Sequence, residues 1–408
     1  MKILISAYSC EPGRGSERGV GWNVAKEVAK RHEVWVLTRP DESKEAIEAE
    51  LAANPIPNLH FVYFTLPFWQ DSMRWGQSGA MQLHYYLWQI QAYFVARRLH
   101  KELDIDLIHH VTFVKYSSPS FLSFLPIPFI WGPVGGGESA PKPFWRDFSF
   151  RARLYELARN LVRGIGEKDP FVRLTAKKSA VVRATTKDTA DILESIGASQ
   201  IQIVPEVGLL DDEIDMLGRY QFPENAPMRF ISMGRLLHWK GFHLGLQAFA
   251  KANLPNAEYW VVGDGAELEN LQNLAQELGI SDRVKFWGRL SREETLANLE
   301  QCHVLVHPSL HDSGGWVCIE AMAAARPVIC LNLGGPAVQV TDKTGFKISA
   351  HSPSQATDEM ALAMASLAQE PELRASMGRE GRQMVNDNYS WQVISDRLDS
   401  LYHEIAQR

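Results

Sequence analysis

The chain has 408 residues, 45% hydrophobic and 22% charged, the balance of a globular protein long enough for two or three domains. Its formal net charge of -6 excludes a generic nucleic-acid binder. The halves differ: residues 1–200 carry 25 basic and 21 acidic side chains, residues 201–408 carry 17 and 27. That asymmetry points to separate domains facing different partners. The four cysteines, Cys10, Cys302, Cys318 and Cys330, fit neither a CxxC metal site nor a disulfide framework, so a reducing cytosol is expected. Residues 1–8 are expected to form a buried strand rather than a signal peptide. The apolar run 121–131 is broken by Pro126 and Pro128 and is too short to span a bilayer.

Strands are predicted at 3–7, 34–37, 107–109 and 129–131, with helices at 19–29, 42–51 and 81–103 between them. The pattern restarts at 229–234. Strands follow at 259–262, 284–287, 304–307 and 328–331, with helices at 242–251, 266–278, 292–301 and 316–325. Alternating strand and helix imply two doubly wound parallel sheets, with ligands in a cleft between two Rossmann-like domains. Residues 211–227, holding Pro223 and Pro227, are expected to be the linker. A last helix at 391–407 can pack on either domain.

The richest stretch is His307-Pro308-Ser309-Leu310-His311-Asp312-Ser313-Gly314-Gly315-Trp316-Val317-Cys318-Ile319-Glu320. It reads as a strand end, a glycine loop and a helix start. The glycines let backbone approach a ligand, and the amides opening the helix point at it. Asp312 and Glu320, eight positions apart, can hold two hydroxyl-rich groups. Arg235 and Lys240 flank another strand–helix junction, where two cations and helix amides can neutralise a diphosphate; an ordinary solvated loop is the alternative. Gly263-Asp264-Gly265 lacks the third glycine of a dinucleotide fingerprint and reads better as a tight turn. Gly19 and Gly21 open the first helix and can bring backbone to a phosphate, or belong to a plain surface loop. Of the adjacent His109 and His110, one is expected in the sheet packing and the other toward the loop. Asp104 and Asp106 precede that strand, at the wrong end of the sheet for a metal-bound ligand. Trp131 to Glu138 form another glycine-rich loop, either a site wall or a turn.

Residues 142–187 hold 12 basic and 4 acidic side chains. Within them Leu154, Leu157, Ala158, Leu161, Val162 and Ile165 recur at helical spacing, flanked by Arg151, Arg153, Arg159 and Arg163. This is the pattern of a helix on an anionic membrane surface, or of a core helix with a solvated basic face. Phe68, Trp69, Trp75, Tyr85, Tyr86, Trp88, Tyr93 and Phe94 read as aromatic core or as an acceptor groove.

Together these residues resemble the retaining glycosyltransferases of family 4, the group 1 glycosyl transferases with the GT-B fold. Gly234-Arg235, Lys240-Gly241, Gly263-Asp264-Gly265 and the two carboxylates ending at Glu320 stand in that family's order, followed by Gly334-Gly335-Pro336 and Thr344-Gly345-Phe346. The first half matches more loosely. The resemblance implies an N-terminal acceptor domain, 1–209, joined by a crossing C-terminal helix, 389–408, and a donor domain, 210–388. It implies that Arg235 and Lys240 bind the donor diphosphate and Glu320 the nucleotide ribose. Asp312, with the Gly314 and Gly315 amides, would hold the donor sugar. His109 or His110 would stand near the anomeric carbon, and Gly19 and Gly21 would approach the phosphate. The co-substrate implied is a nucleotide sugar, a UDP-sugar first, with a glycan or lipid-linked acceptor, no cofactor and no metal. The sequence departs from the family in having Asp312 for a glutamate, His109-His110-Val111 for His-x-His, and Ala337-Val338 where an acid is common.

Two rivals share the fold: a sugar-nucleotide 2-epimerase, for which no additional carboxylate cluster is evident, and a non-catalytic sugar-nucleotide-binding homologue. The expected location is the cytoplasm, with peripheral attachment to the inner face of the membrane.

Overall fold

The computed structural model describes residues 1–70, 79–204, 207–223 and 227–407. The chain divides into two compact units. The first holds Met1–Gly137, Ala158–Glu206 and Trp391–Arg408, and the second holds Glu138–Leu157 and Val207–Ser390.

The first unit is a seven-stranded parallel sheet of β1 (Lys2–Ala7), β2 (Glu33–Thr38), β3 (Leu59–Tyr63), β4 (Leu107–Thr112), β5 (Phe129–Val134), β6 (Val181–Ala184) and β7 (Ile201–Ile203). Its order is β3-β2-β1-β4-β5-β6-β7. The second is a six-stranded parallel sheet of β8 (Met228–Met233), β9 (Ala257–Val262), β10 (Val284–Gly288), β11 (Val304–His307), β12 (Val328–Leu331) and β13 (Gly345–Ile348), in the order β10-β9-β8-β11-β12-β13. In each, the chain starts at the middle, winds one way, then returns to the other side of its first strand. The order therefore reverses beside β1 and β8, where ligands of such sheets bind. The central strands carry unbroken apolar runs because helices cover both faces. Ile3, Leu4 and Ile5, and likewise Val304, Leu305 and Val306, have no exposed surface.

The boundary expected at 209/210 falls at 206/207, and residues 138–157 group with the second unit. Phe144, Phe148 and Ala152 are the cause, since they join the apolar cluster that includes Phe230, Leu236 and Phe242. The expected linker 211–227 is partly a helix, Asp211–Gly218, with Ile214 and Leu217 buried and three acids in its first turn. Acids are favourable at that end of a helix. Residues 224–226 of that expected linker lie outside the described residues. The last helix, Trp391–Ala406, belongs to the first unit. Of the aromatic group, Trp69, Tyr85 and Trp88 are core, whereas Phe68 and Phe94 are exposed. Trp75 lies outside the described residues. All four cysteines are buried and free.

Candidate donor site at the carboxyl ends of β8 and β11

Two loops flank the point where the second sheet reverses its order. After β8 the chain runs through Gly234 and Arg235 to a short 3-10 turn, His238–Lys240. Gly241 closes this turn at φ +66°, and a Cβ there would stand 2.0 Å from the carbonyl oxygen of Pro308. Glycine alone permits that approach. The loop after β11 is thereby pressed onto the turn: the Leu310 amide donates to the Trp239 carbonyl at 2.8 Å. The helix Trp316–Ala323 then starts behind Gly315, itself at φ +59°.

This packing brings Lys240 and Asp312 together. Lys240 Nζ lies 2.5 Å from Asp312 Oδ2, and His307 Nε2 reaches the same oxygen at 3.1 Å. The Gly314 and Gly315 amides donate to Asp312 Oδ1, both at 3.3 Å. Burial alone would raise the Asp312 carboxyl, but the His307 bond and the Lys240 charge outweigh it and hold it well below the usual carboxylate range. Burial holds the His307 ring below its ordinary value despite Asp312, so His307 donates as a neutral imidazole. Arg235 is exposed, and its side chain has no hydrogen-bond or ion-pair partner among the described residues; its carbonyl accepts from the Leu237 amide at 2.9 Å.

Glu320 is 4% exposed. Its Oε1 accepts from Arg292 Nη1 at 2.6 Å, and Arg292 also binds Glu213 at 2.8 Å. Burial raises the Glu320 carboxyl, and the Arg292 charge offsets only part of that. Arg235, Lys240, Asp312, Gly314, Gly315 and Glu320 thus all belong to the two loops and the helix that follows the second.

The first-unit candidates behave differently. His109 and His110 are both fully buried in β4. His109 Nε2 is 2.8 Å from the Gly132 carbonyl and Nδ1 is 2.7 Å from the Tyr402 hydroxyl. A carbonyl only accepts, so Nε2 carries the proton and Nδ1 accepts from Tyr402. His110 Nε2 reaches the Thr112 carbonyl and the Tyr85 hydroxyl, each at 3.2 Å. Burial foremost pushes both rings down to about 3. The expectation that one of them faces a loop is not met. Gly19 and Gly21 lie in the helix Ser16–Val28. Cβ atoms there would meet the Arg14 and Ser9 carbonyls at 2.0 and 2.4 Å. Their smallness accommodates the chain's own loop.

One part of the site had no local signal. Glu156, wholly buried, accepts from His238 Nε2 at 3.0 Å and His311 Nε2 at 3.2 Å, one histidine from each loop. Between them Trp239 stacks on His311 at 5.2 Å and on Tyr155 at 5.3 Å. The one clue to Glu156 is that it is an acid among arginines. Ser313 donates to the buried Glu138 at 2.6 Å, and Gln339 donates to the Gly314 carbonyl.

The arrangement is a pair of cation-bearing loops with a preset carboxylate beside a helix start, at the reversal point of a parallel sheet. Residues 219–384 match the family of glycosyl transferases group 1. The chain is 31% identical over 175 residues to the lipopolysaccharide core biosynthesis glycosyltransferase LpsE of Rhizobium meliloti, covering 43% of this chain and 49% of that protein. It spans about half the length of the curated relatives it matches. Among solved structures, sucrose-phosphate synthase from Thermosynechococcus elongatus superposes with a TM-score of 0.65 over 99% of this chain and 98% of that one, at 18% identity. The Anabaena HepE protein in complex with UDP gives 0.60 over 99% and 100%, at 17%. The fold is GT-B.

Proposed function

We propose that the chain is a retaining glycosyltransferase of family 4, moving a sugar from a nucleotide-diphospho-sugar to a glycan or lipid-linked acceptor. The observation that carries this reading is the joining of Lys240 and Asp312 across the two loops, with the exposed Arg235 on the first of them. The family match covers this same segment, and the Anabaena neighbour is a UDP complex, which favours a UDP-sugar.

The chemistry asks for charge neutralisation above all. The bond from the anomeric carbon to the diphosphate oxygen breaks, and its electron pair leaves with the diphosphate. Arg235 and Lys240 offset that charge in place, without a metal. The acceptor oxygen bonds to the anomeric carbon from the face the diphosphate leaves, and its proton passes to the departing phosphate oxygen. Asp312 holds Lys240 ready beforehand, so little reorganisation remains at the moment of reaction. Glu320, at the buried end of the helix, receives the ribose hydroxyls.

A thermal-shift panel of nucleotide sugars tests this. A donor present at ~100 times its dissociation constant should add about 2.7 kcal/mol of stability. Activity should survive a chelator. No shift with any nucleotide sugar sinks the reading. A new sugar nucleotide formed without acceptor would mean an epimerase.

The acceptor side is proposed to be a membrane surface on the cytoplasmic face. Among the described residues no helix is long and apolar enough to cross a membrane. The helix Phe150–Lys168 instead leaves Leu154, Leu157, Leu161, Val162 and Ile165 exposed, each by more than half. Arg153 donates to the carbonyls of Trp145, Arg146 and Phe148, and Arg163 to Tyr116 and the Gly137 carbonyl. Those two arginines therefore serve internal bonds, and attachment rests on the apolar stripe with the remaining cations. Liposomes with anionic lipid should float the protein at low salt, and Leu161→Glu with Val162→Glu should abolish it. Unchanged flotation of that variant would leave a soluble acceptor as the better reading.

A further inference from the structure

Away from the donor loops, the first unit gathers three ligand-type side chains. His32 follows the helix Ser16–Val28, with 3% of its side chain exposed. Its Nε2 lies 2.8 Å from Asp399 Oδ1. One turn along the helix Trp391–Ala406, His403 Nε2 lies 3.4 Å from the same oxygen. The three ligand atoms all fall within 4.8 Å of one another. Asp399 Oδ2 lies 3.5 Å from Arg31 Nη1, and Arg31 also pairs with Asp396.

A histidine–aspartate pair needs one ring. Here two rings from distant parts of the chain converge on one carboxylate oxygen, while an arginine takes the other. Two imidazole nitrogens and a carboxylate oxygen are a donor set of zinc. Bonds of about 2.1 Å in a tetrahedron require ligand atoms about 3.4 Å apart, a small adjustment from the distances above. His403 can supply that adjustment because its side chain is 58% exposed. Arg31 plays the part of an outer group that orients the ligating carboxylate.

We propose that His32, Asp399 and His403 form a zinc site that fastens the C-terminal helix to the turn after the helix Ser16–Val28. Water completes the fourth position. Coordination at Nε2 moves the single proton of the His32 ring to Nδ1, so the ring ligates as a neutral imidazole. The fastened helix is the one that supplies Tyr402 to His109, so the ion bears on the packing of β4. The site is separate from the donor loops and stands whether or not the transferase reading does.

The test uses the full chain, stripped with a chelator and then titrated with zinc chloride by calorimetry and by thermal unfolding. One zinc per chain should bind and raise the unfolding midpoint, and magnesium should do neither. His403→Ala should weaken zinc binding at least tenfold and abolish the midpoint rise. Because His403 is exposed, that variant in chelator should unfold at the wild-type midpoint. His32→Ala should match it in zinc binding. Equal zinc stoichiometry and affinity in wild type and His403→Ala overturns the proposal, as does a wild-type zinc absorption spectrum without imidazole scattering.

Discussion

At Asp312 a lysine, a neutral imidazole and two loop amides converge on one carboxylate. Removing Lys240 leaves the other donors in place, so Lys240→Ala should fold normally. Its cost should fall on nucleotide-diphosphate affinity, by roughly 1.5–3 kcal/mol for a lost charge-assisted contact. Unchanged affinity by calorimetry would take Lys240 out of the site. Asp312→Ala should lower turnover more than affinity, because it frees Lys240 and both loop amides together. If Asp312→Glu serves several donors as well as the wild type does, the shorter carboxylate is not matched to one sugar. Glu156 is a positioning residue on this scale, since it touches neither Lys240 nor Asp312 but holds a histidine from each loop. Glu156→Gln keeps the shape and removes the charge. We expect kcat to fall at least several-fold with KM less affected, and Glu156→Asp to rescue part of it. Loss of thermal stability with kinetics unchanged would reduce Glu156 to a purely structural role.

At the scale of elements, β4 carries two imidazoles with no exposed surface. Both have folded values near 3, below the ordinary 6.5. The unfolded chain therefore binds more protons than the folded one between those limits, and stability must fall as pH drops from about 6.5 toward 3. Each ring contributes about 1.4 kcal/mol per pH unit. Urea midpoints at neutral pH and near pH 5 should differ accordingly, and the difference should shrink in His110→Leu. A flat profile would mean the rings titrate in the fold. These same histidines show what was legible in the sequence and what was not. Their strand was evident from the apolar run around them. Their burial was not, because the partners are distant in sequence: Tyr402, almost three hundred positions later, for His109, and Tyr85 for His110. The central strands β1, β11 and β12 announce themselves by apolar runs. The strands β3, β6, β7 and β13 do not, being short or half-buried with mixed composition. The two donor loops were legible because glycine and charge mark them locally, whereas Glu156 reaches them only through tertiary packing.

For the whole molecule, the chain passes between its two units at 137/138, 157/158, 206/207 and 390/391. The first two of these crossings were hidden because residues 142–165 look like one basic amphipathic stretch, while Phe144 and Phe148 behave as core of the second unit. A fragment of residues 210–388 would therefore lack Phe144, Phe148, Ala152 and Glu156. Losing one buried phenylalanine costs about 3–5 kcal/mol, against a typical domain stability of about 5–15 kcal/mol. The fragment should show no cooperative melt by circular dichroism, and adding back residues 138–157 through a flexible linker should restore one. A cooperative melt without them would show that the segment is dispensable. The same interleaving limits how such a chain can exchange parts. A crossover that swaps the front half for that of a relative carries a foreign copy of residues 138–157 into the back half's core. It also leaves the native tail, with Tyr402 and Asp399, to dock on a foreign front half. Recombined progeny should keep their stability only when three separate stretches are inherited together, so the second unit cannot be traded as a cassette.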